Sequence, residues 1–236
     1  MHFIPSWPRG KVSSQEAVRA RPPRQAAEGG YVLMAGEKDR DFASGIEACA
    51  LAKVRVRLVS DSEGLKNLCT REKLCTLTPF LSHGDFMDVL EKSWAVVVPL
   101  HPQRHLSAGA TLVGEALASG VPVVVSGGLG GDEPWKGVVG HEETGLIVPP
   151  GDVGALSSAV SRLMEDGELY GRISANARAL AESAYSVEAV GKSMQEAVCG
   201  AIAYRNSHRT TRSQEEQEQG RAAFNSFIED GELDED

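Results

Sequence analysis

The sequence holds no apolar run approaching the roughly 18–20 residues that a membrane-spanning helix requires. Its longest, such as Ala95–Leu100 and Val121–Val125, are short and rich in β-branched residues, and they read as buried strands. Met1–Gly10 contains Pro5 and Pro8 in place of the apolar stretch of a secretory signal, and no Asn-x-Ser/Thr glycosylation acceptor occurs. Cysteine is scarce: Cys49, Cys69, Cys75 and Cys199 stand at spacings that make neither a disulfide framework nor a zinc pattern. Together these absences lead us to expect a reducing, cytoplasmic setting with no transmembrane segment. An excess of positive charge is lacking as well. The net charge is −9, and Ser207–Asp236 accounts for much of it with 9 acidic and 3 basic residues. The remainder is close to neutral, so a nucleic-acid partner finds no electrostatic support.

The chain has 236 residues, 42% of them hydrophobic, enough for one domain with a sizeable core plus appendages. Residues 1–30 are rich in Pro, Arg and Ser without sustained periodicity, and read as an arm or linker. Residues 31–205 alternate strand and helix patterns. Strands are expected at Tyr31–Ala35, Val54–Val59, Leu74–Leu77, Ala95–Pro99, Pro122–Ser126 and Thr144–Val148. Helices are expected over Phe42–Leu51, Gly64–Leu68, from Ser82 onward with Asp85 at a capping-box position, and over Ala110–Ser119, closed by Gly120. After Pro149-Pro150-Gly151 only helices follow. Asp152 is the expected N-cap of the first, whose apolar face is Val153, Leu156, Ala159, Val160 and Leu163; the second covers Gly167–Ala184; the third runs from Ser186 to about Tyr204. Residues 206–236, with QEEQEQ and EDGELDED, read as an acidic disordered tail. The pattern specifies an α/β fold: a Rossmann-like, doubly wound parallel sheet followed by C-terminal helices.

Ligands in such sheets bind at the carboxyl ends of the strands, near a topological switch point. After the first strand stands Gly36-Glu37-Lys38-Asp39-Arg40-Asp41. After the strand at Ala95–Pro99 stands a loop ending Ser107-Ala108-Gly109-Ala110-Thr111, which runs into a helix. A small-residue loop at a helix N-terminus favours an anion, through backbone N–H groups and the helix dipole. Lys38 and Arg40 supply the positive charge a diphosphate needs. Each feature alone has a plain reading: a structural turn, solvated loop charges, and, for Glu115, a good helix former. Their weight lies in converging on one rim of one sheet. Other candidates are weaker. His101 and His105 are spaced i, i+4, but Pro102 argues against a helix and no third ligand is evident. His141-Glu142-Glu143 fits an exposed turn, and Trp135 reads as packing more than as a cleft wall.

Four segments carry a resemblance. Gly114-Glu115-Ala116-Leu117-Ala118-Ser119-Gly120-Val121-Pro122-Val123-Val124 resembles the Glu-Ala-(Met/Leu)-Ala-x-Gly-x-Pro-Val-(Val/Ile) segment of GT-B glycosyltransferases, most closely glycosyltransferase family 4. Gly145-Leu146-Ile147-Val148-Pro149-Pro150-Gly151-Asp152 is similar to that family's turn, and Leu156–Leu163 to the helix after it. Tyr31–Asp41 resembles the strand and loop that open one branch of the family, and Phe3-Ile4-Pro5 its inter-domain linker. The likeness covers about Tyr31–Tyr204 and gains its specificity from the order and distances of the segments. It implies a domain that binds a nucleoside diphosphate sugar as donor, with sugar transfer retaining the anomeric configuration and no essential metal or cofactor. It implies that Glu115 accepts from the nucleotide ribose hydroxyls and that Ala108–Thr111 hold the diphosphate. Arg40 would neutralise the leaving group with Lys38 as helper, beside Gly36 and Ser107.

The departures from the family pattern are specific. The first Glu of the family's Glu-x7-Glu motif is Ser107 here, and Glu37 stands where the branch often has Arg. A complete GT-B enzyme places an acceptor domain of comparable size before the donor domain, whereas 30 residues precede the first expected strand. Two functions therefore stay open: a glycosyltransferase donor domain acting with a separate acceptor-domain subunit or as part of a longer enzyme, and a non-catalytic nucleotide-binding or protein-interaction module derived from one. A sugar phosphorylase is more distant, because no cofactor-lysine segment matches.

Overall fold

The computed structural model describes residues 30–37, 39–62, 64–71, 73–101, 109–127, 135 and 137–230. The expected arm at residues 1–30 lies almost wholly outside them. The chain divides into two units, Met1–Ser186 and Val187–Asp236.

In the first unit, strands and helices alternate as β1 (Val32–Ala35), α1 (Phe42–Leu51), β2 (Val56–Val59), α2 (Gly64–Arg71), β3 (Cys75–Thr78), α3 (His83–Lys92), β4 (Ala95–Val98), α4 (Ala110–Ala118), β5 (Val123–Ser126), β6 (Leu146–Val148), α5 (Val153–Glu165) and α6 (Gly167–Ala184). The strands form one sheet in the order β3-β2-β1-β4-β5-β6, every pair parallel. That order reverses between β1 and β4, which makes their carboxyl ends the switch point.

The strand side chains alternate between two cores, as a period of two demands. Val32, Met34, Leu58 and Val97 pack with Phe42 and Ile46 of α1 and with Leu156, Val160 and Leu163 of α5. Leu33, Val96, Val98 and Val125 face the opposite layer, with Leu90 of α3, Val113, Ala116 and Leu117 of α4, and Ala177 of α6. Helices cover both faces, so the sheet is doubly wound. Both faces being buried explains why its strands read as continuous Val-rich runs.

The local signals act where the sequence places them. Ser82 caps α3, its Oγ accepting from Asp85 N and donating to Asp85 Oδ2 at 2.6 Å. Asp152 Oδ1 accepts from Ala155 N at 2.8 Å at the start of α5. Gly120 takes a left-handed φ of +64° after α4, the conformation that ends a helix most cheaply without a Cβ. Trp135 is 1% exposed and donates from Nε1 to the Ser126 carbonyl at 3.0 Å, so it is a core residue.

Two features differ from the sequence expectation. Cys69 and Cys75 are joined by a disulfide, with their Cα atoms 5.1 Å apart. Spacing gives no hint of this pairing; the tight connection from the last turn of α2 into β3 creates it. Cys49 remains a thiol, and burial pushes it up to about 12. In the second unit, the helix α7 (Val187–Asp230) continues well past Tyr204 into the segment expected to be disordered. Low apolar content argued for disorder, but Gln, Glu, Ala and Arg are strong helix formers and no proline interrupts the run. Among the described residues, no helix is long and apolar enough to cross a membrane.

Candidate functional site

A cavity of about 450 Å³ opens at the switch point, lined in part by Ala35 and Gly36 at the end of β1, Arg40, Phe80 and His83 beyond β3, and Gly109, Thr111 and Glu115 at the start of α4. Of the residues singled out from sequence, Gly36, Arg40, Gly109, Thr111 and Glu115 meet here, and Ala110 lies between two of them as the first residue of α4. Lys38, Ser107, Ala108 and the adjacent loop with His105 lie outside the described residues.

Backbone contacts explain how Arg40 reaches this cavity. Arg40 forms an antiparallel bridge with Leu100, and Asp41 N donates to the Pro99 carbonyl at 2.9 Å, so the loop after β1 is tied to the end of β4. Asp41 then caps α1, accepting from Ser44 N at 3.1 Å and Ser44 Oγ at 2.6 Å. The guanidinium consequently lies over the two glycines. A Cβ on Gly36 would stand 3.4 Å from Arg40 Nη2, and one on Gly109 would stand 2.9 Å from it. Burial pulls the Arg40 guanidinium down from the usual arginine range, and the neighbouring Asp39 carboxylate acts the other way.

Gly109 is the N-cap of α4, with φ +102° and no side-chain hydrogen bond capping the helix. The positive end of a helix dipole and a guanidinium thus share one wall. Glu115 stands one helical turn beyond Thr111. It is 7% exposed and lines the cavity at the strand-end rim. Burial pushes its carboxyl up from the usual glutamate range, and His83, whose Nδ1 is 3.7 Å from Oε1, pulls it partly back. The lining combines a cation, a helix N-terminus and a shielded carboxylate acceptor with apolar side chains.

Sequence reasoning missed Val59, Phe80, Leu81, His83, Phe86 and Leu112, which complete the lining. Phe80, Leu81 and His83 follow β3, so the rule that ligands meet strand ends would have reached them had it been applied to that strand. The weaker candidates fall away from the cavity. His141 Nδ1 accepts from Ile147 N at 3.0 Å, Glu142 pairs with Arg162, and His101 is exposed. Among the described residues, no cluster of three or more His, Cys, Asp or Glu side chains is placed to hold a metal ion.

A Rossmann-like sheet of order 3-2-1-4-5-6, with a mixed cationic and acidic cavity at its switch point, defines a doubly wound α/β domain. The family model of Glycosyl transferases group 1 matches residues 46–180, more than half of the chain, and the chain belongs to that family. It is 29% identical over 116 residues to an alpha-D-kanosaminyltransferase of Streptomyces kanamyceticus; the match covers 49% of this chain and 28% of that protein. Among solved structures it resembles Anabaena HepE in complex with UDP-glucose (TM-score 0.58, 19% identity, covering 73% of this chain and 49% of that one). It also resembles the C-terminal domain of a glycosyl transferase group 1 family protein from Francisella tularensis (TM-score 0.55, 18% identity, covering 66% and 87%). The chain therefore spans well under two thirds of the kanosaminyltransferase and of HepE, and most of the separately solved C-terminal domain. These neighbours are GT-B glycosyltransferases, and the sheet has the fold of one GT-B half.

Proposed function

We propose that this domain binds a nucleoside diphosphate sugar and presents it for transfer of the glycosyl group, as a member of glycosyltransferase family 4. The observation that carries the reading is the convergence of Arg40, Gly109, Thr111 and Glu115 on one cavity at the switch point. The diphosphate would lie against the N-terminus of α4 and Arg40, and the ribose hydroxyls would donate to the Glu115 carboxylate, which can accept from two adjacent donors. When the bond between the anomeric carbon and the diphosphate oxygen breaks, negative charge grows on the leaving diphosphate. A guanidinium and helix dipole already in place stabilise that charge without reorganisation. Lys38, Ser107 and Ala108 are assigned to the same anion wall by their place in the sequence. No metal or cofactor enters this reading. UDP is the first probe to use, because the structurally similar HepE was crystallised with UDP-glucose.

The acceptor side of the cleft is assigned to residues outside these 236, on a longer polypeptide or on a separate subunit. The non-catalytic alternative draws support from Ser107, which replaces the family's first motif glutamate. Calorimetry with UDP and uridine separates site from no site: tighter binding of the diphosphate supports the reading, and equal or absent binding counts against it. The cytoplasmic placement belongs to the proposal as well. The Cys69–Cys75 bond stands against it, because cellular reductants there would hold the pair as thiols, and finding the pair bonded in protein trapped by alkylation at lysis would refute that placement.

A further inference from the structure

We propose that His83 is a positioning residue for Glu115, holding its carboxylate ionised and aimed at the ribose side of the cavity. The inference rests on the donor-site reading above and goes beyond it by adding a residue on another helix. Glu115 is an unusual acceptor: its side chain is 9% exposed, and among the described residues its sole charged or hydrogen-bonding neighbour is His83. The separation of 3.7 Å is too long for a hydrogen bond and short enough for attraction between charges.

The backbone of His83 is fixed independently of Glu115. It is the first residue of α3, and Ser82 locks that helix start through its two contacts with Asp85. Its imidazole is half-exposed, whereas the carboxylate it faces is shielded. The other charged groups around the cavity are accounted for. Arg40, beyond β1, lines the cavity together with His83 and Glu115 and feels Asp39. Asp85, on α3 itself, is held by Ser82, and α4 carries no second titratable side chain.

A buried carboxyl favours its neutral form. Once protonated, it has fewer acceptor sites to offer two ribose hydroxyls. Positive charge on His83 opposes this, and it does so without touching the nucleotide.

The first measurement needs no ligand: the carboxyl carbon of Glu115 is followed by NMR across a pH titration, assigned by comparison with Glu115→Gln. The expected result is a higher midpoint in His83→Ala and His83→Asn, restored toward the parent in His83→Lys. An unchanged midpoint in His83→Ala overturns the proposal whatever the nucleotides do. The second measurement compares UDP with 2′-deoxy-UDP by calorimetry. His83→Ala should weaken UDP about two- to fivefold, the span of a partly exposed ion pair. It should leave the deoxy form nearly unchanged and have no effect in a Glu115→Gln background. Equal weakening of both nucleotides would instead place His83 against the base or phosphates and overturn the positioning role. A raised midpoint in a parent protein that binds no UDP would overturn the donor-site reading and, with it, any role toward ribose.

Discussion

Replacing Gly109 with alanine tests both the backbone and the anion wall. The residue sits at φ +102°, a region L side chains adopt at a cost of about 1–3 kcal/mol. The added Cβ would lie 2.7 Å from Val98 Cγ1, inside a buried strand, and 2.9 Å from Arg40 Nη2. Val98 is fully buried and cannot retreat, so overpacking adds about 1–3 kcal/mol. Even the low end of the sum, about 2 kcal/mol, lowers the melting temperature of a domain this size by roughly 4–8 °C. Arg40 has more room to yield than Val98, and on the donor-site reading its displacement would weaken the charged contacts to a diphosphate. Such contacts contribute about 1.5–3 kcal/mol, or one to two decades in affinity. Scanning calorimetry of Gly109→Ala should therefore show the drop in melting temperature, and titrations at a temperature where the variant is folded should show UDP weakened and uridine unchanged. Gly114→Ala is the control. It lies within α4 with nothing within 4 Å of its added Cβ, and should stabilise by about 0.5–1 kcal/mol. An unchanged melting temperature in Gly109→Ala, or parallel weakening of UDP and uridine, would refute the reasoning.

Glu115→Gln keeps the size of the side chain and removes its charge; UDP affinity should fall about one to two decades, with 2′-deoxy-UDP losing less, and calorimetric titrations of both nucleotides decide it. The same variant carries a pH signature. The folded-state carboxyl is held above its ordinary value, so the folded protein binds more protons than the unfolded, and Glu115's contribution to stability fades as pH rises from the ordinary glutamate range upward. Melts of Glu115→Gln should accordingly show less loss of stability over that window than the parent; identical pH profiles would count against the buried carboxyl. Reducing the Cys69–Cys75 bond, which closes a loop at a sequence separation of 6, should cost about 2 kcal/mol by loss of a chain constraint, read as a lower melting temperature in the presence of reductant. Ending the chain at Ser207 should leave the melt of the first unit unchanged, because the described residues beyond it, Glu218–Ala222, are exposed and so polar a segment buries too little apolar area to offset its ordering entropy; a large drop would show that the distal part of α7 packs on something.

Much of the fold is local information. The caps at Ser82 and Asp152, the helix stop at Gly120 and the alternation of Val-rich runs with helical patterns determined the elements of the first unit nearly residue by residue, because capping and binary periodicity depend on near neighbours in the chain. The rim of the sheet was also legible, since strand ends follow from strand assignments. The sequence by itself therefore determined the sheet, the family likeness and the grouping of Gly36, Arg40, Gly109, Thr111 and Glu115 at one edge. Tertiary structure alone decided what depends on residues distant in sequence. It laid Arg40 across Gly36 and Gly109 through the bridge to Leu100, and it brought His83 within 3.7 Å of Glu115. It also buried that carboxylate. Burial and electrostatic neighbourhood are set by how separate helices pack on the sheet, and no window along the chain contains that information.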